Sequence, residues 1–330
     1  SLARPGRARM NVLVVGGAGY IGSVVCEELV RARHSVIVLD DLSTGHRDAV
    51  PALAYLVEGS VSDEAALHES LTVKSIDAVI HLAAKSIVGE SVKQPELYHE
   101  ANVVNGVRLL DAMQRQGVRT IVFSSSAAVY DPAAAMPLRE SSSLRPGNPY
   151  GATKLAFERV LAERADAGSI AHVTLRYFNV AGASIDHGED HRDETHLIPL
   201  LLDAARGARG PVPVFGTDYA TPDGTAVRDY VHVLDLAEAH VRAAKYLAEG
   251  GESVTLNLGS ERGASVREVI DAVCRVTGRE VPTADADRRE GDPPLLIASS
   301  ESARRVLGWK PKFGDLDTIV LAALRREPER

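Results

Sequence analysis

The stretch Val12-Leu13-Val14-Val15-Gly16-Gly17-Ala18-Gly19-Tyr20-Ile21-Gly22 decides the fold. A short apolar run opens directly into glycines at G-x-x-G-x-x-G spacing, Gly16, Gly19 and Gly22, and Ile21 to Arg33 then reads as a helix. A strand, a tight turn and a helix N-terminus place backbone N–H groups and a partial positive charge where a pyrophosphate binds, and side chains at the glycines would block its approach. Val36 to Leu39 is a second apolar strand ending at Asp40-Asp41. A carboxylate at Asp40 accepts hydrogen bonds from ribose hydroxyls and repels a 2′-phosphate, which favours NAD over NADP.

Outward from this stretch, strand and helix alternate. Asp63 to Leu71 reads as a helix and Ala78 to Leu82 as a buried strand. Glu96 to Gln116 has helical spacing of Leu97, Val104, Val107, Leu110 and Met113. Thr120 to Phe123 is a strand that delivers the run Ser124-Ser125-Ser126, Pro149 to Ala165 is a long helix, and Val173 to Phe178 is a further strand. The alternation predicts an α/β fold with a doubly wound parallel sheet, a Rossmann-like dinucleotide-binding domain. After Asn179 the pattern loosens, with Gly, Pro, Asp and His through 182–195 and 207–223. Val231 to Leu247 returns to a helical period and Val254 to Leu258 to a strand. The expected organisation is a disordered extension over 1–9, a dinucleotide-binding domain over 10–180 rejoined by about 230–259, and a smaller, interleaved substrate lobe within 181–330.

Composition narrows the class. The 330 residues are 45% hydrophobic and 25% charged, as in ordinary globular proteins. A formal charge of −8 argues against nucleic acid as a partner. Cys26 and Cys274 form no C-x-x-C pair, which points to a reducing cytoplasm, with Cys26 a small buried residue of the first helix. No run approaches the roughly 18 apolar residues of a membrane helix. Ser1 to Arg9, with three Arg and no apolar run, does not read as a secretory signal.

Tyr150-Gly-Ala-Thr-Lys154 puts a Tyr and a Lys one turn apart on one helix face. A phenol with a pKa near 10 is a poor base at neutral pH. The Lys154 ammonium is expected to lower it, so that Tyr150 takes a proton from a hydroxyl while Ser126 hydrogen-bonds the same oxygen. His187, His191 and His196 lie among Asp186, Glu189, Asp190, Asp193 and Glu194. The segment has no helical period to gather ligands, so it reads as a solvated loop and no metal is expected.

Several motifs resemble the extended short-chain dehydrogenase/reductase family, in particular its nucleotide-sugar 4-epimerase branch. They are Gly16-Gly-Ala-Gly-Tyr-Ile-Gly-Ser23, Val88-Gly-Glu-Ser-Val92, Ser124-Ser-Ser-Ala-Ala-Val-Tyr130, Asn148-Pro-Tyr-Gly-Ala-Thr-Lys154 and Leu175-Arg-Tyr-Phe-Asn179. Later come Asp223-Gly-Thr-Ala-Val-Arg-Asp-Tyr-Val-His-Val233, Arg288-Arg-Glu-Gly-Asp292 and Leu307-Gly-Trp-Lys-Pro311. The resemblance implies a redox cycle on tightly held NAD. Tyr150 removes the proton of a sugar 4′-hydroxyl as the C4 hydride leaves, the 4-keto sugar turns about its diphosphate link, and hydride returns to the other face. UDP-glucose and UDP-galactose are thereby interconverted, with Ser126 assisting and Lys154 tuning Tyr150 and holding the nicotinamide ribose. The implied cofactor contacts beyond the glycines are Tyr20, Ile21, the turn Asp40, Asp41, Leu42, Ser43, Thr44 and Gly45, then Val61, Leu82, Ala83, Asn102, Ser124, Tyr150, Lys154 and Phe178. The implied substrate contacts are Ser126, Tyr150, Asn179, Leu197, Val214, Phe215, Arg228, Arg289 and Asp292. The two Arg also fit a diphosphate on their own chemistry.

The chain departs from the family pattern in places. Ser60 stands for an Asp that contacts adenine, Val15 for Thr, Val24 for His and Asp131 for Gly, while Asn105-Gly106 and Lys85 are displaced in register. The resemblance makes Leu296 the position that gates room for an N-acetyl group. A side chain smaller than Tyr there implies that UDP-GlcNAc and UDP-GalNAc are also accepted. A 4,6-dehydratase would need a carboxylate pair where Ser126 is followed by Ala127-Ala128. Epimerases of UDP-glucuronate or UDP-pentoses share the mechanism and stay open. A non-catalytic NAD sensor is disfavoured by the presence of both Tyr150 and Lys154. The family also implies a homodimer joined through Glu96–Gln116 and Pro149–Ala165.

Overall fold

A computed structural model describes residues 9–190, 194–289 and 291–326. The expected disorder of the extension lies outside these residues except at Arg9, as do His191 and the end of the charged tail at 325–330.

The doubly wound sheet is present. Its strands are β1 (Asn11–Val15), β2 (Ser35–Asp40), β3 (Tyr55–Glu58), β4 (Ala78–His81), β5 (Thr120–Ser126), β6 (Ala171–Tyr177) and β10 (Val254–Leu258). All neighbours are parallel, in the order β10-β6-β5-β4-β1-β2-β3. The chain winds outward from β1 to β3, then restarts at β4 on the other side. This reversal opens a crevice at the carboxyl ends of β1 and β4, where ligands of such sheets bind.

Period-two alternation explains why the strands read as continuous apolar runs. Val12, Val14, Val36, Val38 and Ile80 join the buried cluster under α1 (Tyr20–Arg31), α8 (Val233–Ala248) and α10 (Glu301–Leu307), which also takes Trp309. Leu13, Val15, Ile37, Leu39 and Val79 join the opposite cluster under α2 (Glu64–Thr72), α5 (Asn105–Arg115) and α6 (Pro149–Asp166). Cys26 is fully buried in the first of these layers.

Beyond Tyr177 the chain builds smaller sheets. Strand β9 (Val227–His232) pairs with β7 (Asn179–Ala181), β11 (Gly263–Ser265) and β13 (Leu295–Leu296), and β8 (Val212–Phe215) pairs with β12 (Thr283–Ala286). They pack near α7 (Leu197–Ala205), α9 (Val266–Thr277) and α11 (Leu316–Arg326), which share a third core.

Four readings of the sequence change. The serine run belongs to β5, because pairing with β6 continues to Ser126 opposite Tyr177. The helix placed at Val231 begins at Val233, since Val227–His232 is a strand and the His232 imidazole then caps the helix by accepting the Leu234 N–H at 3.1 Å. The helical stretch at Glu96 starts earlier and is broken. Helices α3 (Val88–Lys93) and α4 (Pro95–His99) precede a π-turn at Glu100–Val104 that leads into α5. The edge strand β3 was absent from the strand pattern, and its outer residues Tyr55 and Glu58 are exposed.

A buried ion pair fastens α6 to β6. Arg176 donates to both oxygens of Glu158, at 2.9 and 2.6 Å, and to the Tyr130 hydroxyl at 3.0 Å. Tyr130 donates to Asn257 at 2.6 Å, and Ser125 to Glu158 at 2.5 Å. Arg176→Met strands the Glu158 carboxylate in the core and is expected to lower unfolding stability by about 3–5 kcal/mol. Urea titration checks this, and Glu158→Gln added to Arg176→Met should recover part of the loss.

Candidate active site

The glycine loop is closed by contacts that tolerate no side chain. A Cβ on Gly22 would lie 2.0 Å from the Gly16 carbonyl oxygen, and one on Gly16, at φ +86°, 2.5 Å from the Ala83 nitrogen. Helix α1 follows, and its N-cap, Gly19, offers no side-chain acceptor to the first turn. Uncapped N–H groups at the end of a 12-residue helix suit an anionic pyrophosphate, so these residues fit the dinucleotide expected from the sequence.

Asp40 ends β2 and organises the loop. One carboxylate oxygen accepts the Ala18 N–H and the other the Leu42 N–H, both at 2.9 Å. Burial raises its pKa and these two bonds lower it. Each oxygen keeps a second lone pair, so acceptor capacity remains beside the structural role. Leu42 is held at φ +57°, Ser43 N–H bonds Asp41 at 2.9 Å, and Gly45 packs so closely on Ala18 that a Cβ would lie 2.7 Å from its carbonyl carbon. On the far wall, Leu82 and Ala83 both donate backbone N–H groups to the Val15 carbonyl. Val61 is buried nearby in the same core as Val15.

Tyr150, Lys154 and Ser126 come together at the carboxyl end of β5. Asn148 caps α6 by accepting the Gly151 N–H at 2.9 Å, and Pro149 starts the helix. Burial raises the pKa of the Tyr150 phenol, and the neighbouring Ser126 hydroxyl works against that rise. The expected lowering by Lys154 is not part of this arrangement. The Lys154 ammonium lies 5.8 Å from the Tyr150 ring centroid and donates to the Ser124 carbonyl at 2.8 Å. Lys154 is itself buried, which depresses its pKa to about 7 against a smaller opposing pull from Glu158.

Two implied cofactor contacts have their polar groups engaged within the protein. Asn102, in the π-turn, exchanges hydrogen bonds with the backbone of Lys85 at 2.8 and 2.9 Å and donates to Thr153 of α6 at 3.0 Å. Ser124 has its hydroxyl 3.1 Å from His240. Phe178 is buried against Ala127, Val129 and Leu155.

Across the crevice, Arg228 pairs with Asp292 at 2.6 Å and donates to the Val227 carbonyl at 2.7 Å. The Arg289 guanidinium stacks over Phe215 at 4.0 Å. Leu296 is opposite Arg228 in the β13–β9 pairing and packs on the cluster holding Phe178 and Ala127. Asn179 opens β7, Leu197 opens α7, and Val214 is buried beside Phe215 in β8.

Just before α7, described residues on either side of 191–193 come together. Ligand-capable atoms of Glu189, Glu194 and His196 lie within 4.8 Å of one another, so residues of this segment do converge. His196 Nδ1 contacts Glu189 and lies 3.2 Å from Glu194, and the two carboxylates raise the imidazole's pKa to about 10 against the pull of burial.

Sequence reading missed the supports. Glu158 and Arg176 were invisible because long-range pairing across a sheet has no local signature. Ser91, whose hydroxyl accepts the Tyr150 N–H at 3.2 Å, and Thr153, whose hydroxyl donates to the Tyr150 carbonyl at 2.7 Å, sit inside quoted motifs but had no assigned role.

A dinucleotide cradle beside a half-buried Ser and Tyr and a buried Lys defines an enzyme that oxidises and reduces at a hydroxyl-bearing carbon. The model of the NAD dependent epimerase/dehydratase family matches residues 12–259, and the chain belongs to that family. As a member, it uses NAD. The UDP-glucose 4-epimerase of Corynebacterium glutamicum is 49% identical over 311 residues, 94% of each chain. That of Lacticaseibacillus casei is 47% identical over 316 residues, 95% of this chain and 96% of the relative. The crystal structure of UDP-glucose 4-epimerase from Brucella ovis in complex with NAD matches at TM-score 0.93 and 46% identity, covering 96% of this chain and 97% of that one.

The buried lysine has a testable cost. In the unfolded chain it stays protonated to roughly pH 10.4, whereas in the fold it holds its proton only to about pH 7. Between these values the unfolded state binds the extra proton, so Lys154 destabilises the fold increasingly as pH falls, in full below about 7. Lys154→Met should raise the Tm more at pH 7 than at pH 10.5, while lowering kcat about 100-fold or more. Thermal scans at the two pH values check the first claim.

Proposed function

We propose that the protein interconverts UDP-glucose and UDP-galactose by oxidation, turning and re-reduction at the sugar C4. The observation that carries the reading is the meeting of Ser126 and Tyr150 at the mouth of the dinucleotide crevice, with the buried Lys154 bonded to the Ser124 carbonyl behind them. When bound, NAD supplies the acceptor and donor of the C4 hydride. Tyr150 takes the 4′-hydroxyl proton at its phenol oxygen and later returns it, so no net proton is released. Ser126 hydrogen-bonds the same sugar oxygen, and Lys154 holds the nicotinamide ribose. The glycine loop and the Asp40–Gly45 turn hold the cofactor's pyrophosphate and adenosine ribose. Arg228 and Arg289 meet the UDP diphosphate, Asp292 orients Arg228, and Phe215 with Val214 forms an apolar wall of the nucleotide site. Asn179 and Leu197 complete the lobe's side of the crevice. Residues 10–180 with about 230–259 thus serve the cofactor, and most of 181–330 the nucleotide sugar.

A 4,6-dehydratase is disfavoured by Ala127 and Ala128, which follow the site serine without a carboxylate. Leu296, half-buried, carries a smaller side chain than Tyr at the gating position the resemblance implies, which extends the proposed scope to UDP-GlcNAc and UDP-GalNAc. A homodimer is proposed through the helices bearing exposed Val88, Val92 and Leu97. Among the described residues no helix is long and apolar enough to cross a membrane. The proposed location is the cytoplasm, where the nucleotide sugars are at hand.

Purified protein given UDP-galactose without added NAD should form UDP-glucose to an equilibrium mixture. No product even with NAD added would redirect the reading to a UDP-uronate or UDP-pentose. Tyr150→Phe is expected to lower kcat about 10²–10⁴-fold while NAD remains bound. Leu296→Tyr should suppress turnover of UDP-GlcNAc while sparing that of UDP-galactose, as product separation with each sugar will show. Light scattering should return the mass of a dimer.

A further inference from the structure

His240 lies on α8, across the sheet from α6, and no step above uses it. It is fully buried. Its Nδ1 is 2.9 Å from the Leu236 carbonyl oxygen one turn back, a group that only accepts, so Nδ1 carries the proton. Nε2 is then a bare acceptor, and the Ser124 hydroxyl 3.1 Å away must donate to it. Burial pushes the imidazole's pKa down to about 4, so this tautomer persists through neutral pH.

Ser124 is the pivot. Its carbonyl accepts from the Lys154 ammonium at 2.8 Å. Its hydroxyl commits its proton to His240. The Tyr177 and His240 rings lie 6.1 Å apart. The bonds therefore run one way, from the Ser124 O–H to His240 and from His240 Nδ1–H to the Leu236 carbonyl.

We propose that His240 is a positioning residue for the reaction: by tying down the Ser124 side chain it holds in place the residue whose carbonyl receives the Lys154 ammonium. The inference rests on the epimerase reading above. His240→Phe keeps ring volume and removes the acceptor, and His240→Gln keeps an acceptor oxygen close to the Nε2 position. His240→Phe and Ser124→Ala should each lower kcat about tenfold with KM for UDP-galactose changed less than about twofold. Their combination should lose no more than either alone, and His240→Gln should recover most of the rate. Additive losses, losses confined to KM, or no recovery in a folded His240→Gln protein would each overturn the proposal. Where His240→Phe fails to fold, undiminished kcat in Ser124→Ala overturns it instead. Nitrogen-15 NMR of the histidines at pH 7 should show Nδ1 protonated and Nε2 bare, and the opposite tautomer also overturns it. An inert wild-type protein removes the functional reading and the positioning role together, whereas unchanged variants beside an active wild type remove the positioning role alone.

Discussion

The contact on which the site depends is the approach of α6 to the end of β5. A Cβ on Gly151 would lie 2.2 Å from the Ala128 carbonyl oxygen, so only glycine permits the helix to come this close. Tyr150 precedes that glycine and Lys154 follows it by three residues, so the contact fixes both at once. The cap at Asn148, the Ser91 contact to the Tyr150 N–H and the Asn102–Thr153 bond then settle the height and rotation of the helix. A helix held at its first turn by backbone contacts positions side chains better than a loop does. The π-turn at Glu100–Val104 belongs to the same device, because it places the Asn102 amide between the Lys85 backbone and α6.

That rigidity carries an electrostatic cost. Lys154, Glu158 and Arg176 are all buried. The Glu158–Arg176 pair is compensated by two short bonds and the Tyr130 and Ser125 hydroxyls, which is the condition under which a buried pair persists. Lys154 has less. Its ammonium has the Ser124 carbonyl and lies 5.0 Å from the Phe123 ring, and its pKa falls in consequence. The asymmetry separates roles. The fully paired charges hold the frame, and the poorly paired one sits beside the group that must change protonation.

What was legible in the chain followed from local rules. Glycines 16, 19 and 22, the apolar strands beside them and the acid at Asp40 specify one supersecondary unit, and the Tyr150–Lys154 spacing needs only a helix. The extent of β5 was not legible, because three serines carry no strand signal until β6 supplies partners as far as Tyr177. The edge strand β3 was hidden for the related reason that half of it faces solvent. The Glu189, Glu194 and His196 cluster was misjudged because convergence was sought on a helix face. The loop that precedes α7 brings the three together without one. Asn102 and Ser124, cofactor contacts implied by resemblance, have their side chains engaged inside the protein, which no local pattern announces.

The same pre-engagement recurs at Asp40 and Arg228, and it suggests how the crevice is kept ready. Asp40 binds two backbone N–H groups and Arg228 a carboxylate and a carbonyl before any ligand enters. Left unpaired, these charges would draw the loops into competing contacts, since a partly buried charge without a partner is costly. Pairing them internally uses only part of their capacity. A carboxylate has about four acceptor sites and a guanidinium five donors. The remainder leaves a formed, charged surface, and a ligand that met it would lose little ordering entropy on binding. Site geometry here is therefore largely a property of the folded chain, set by residues that bind one another first.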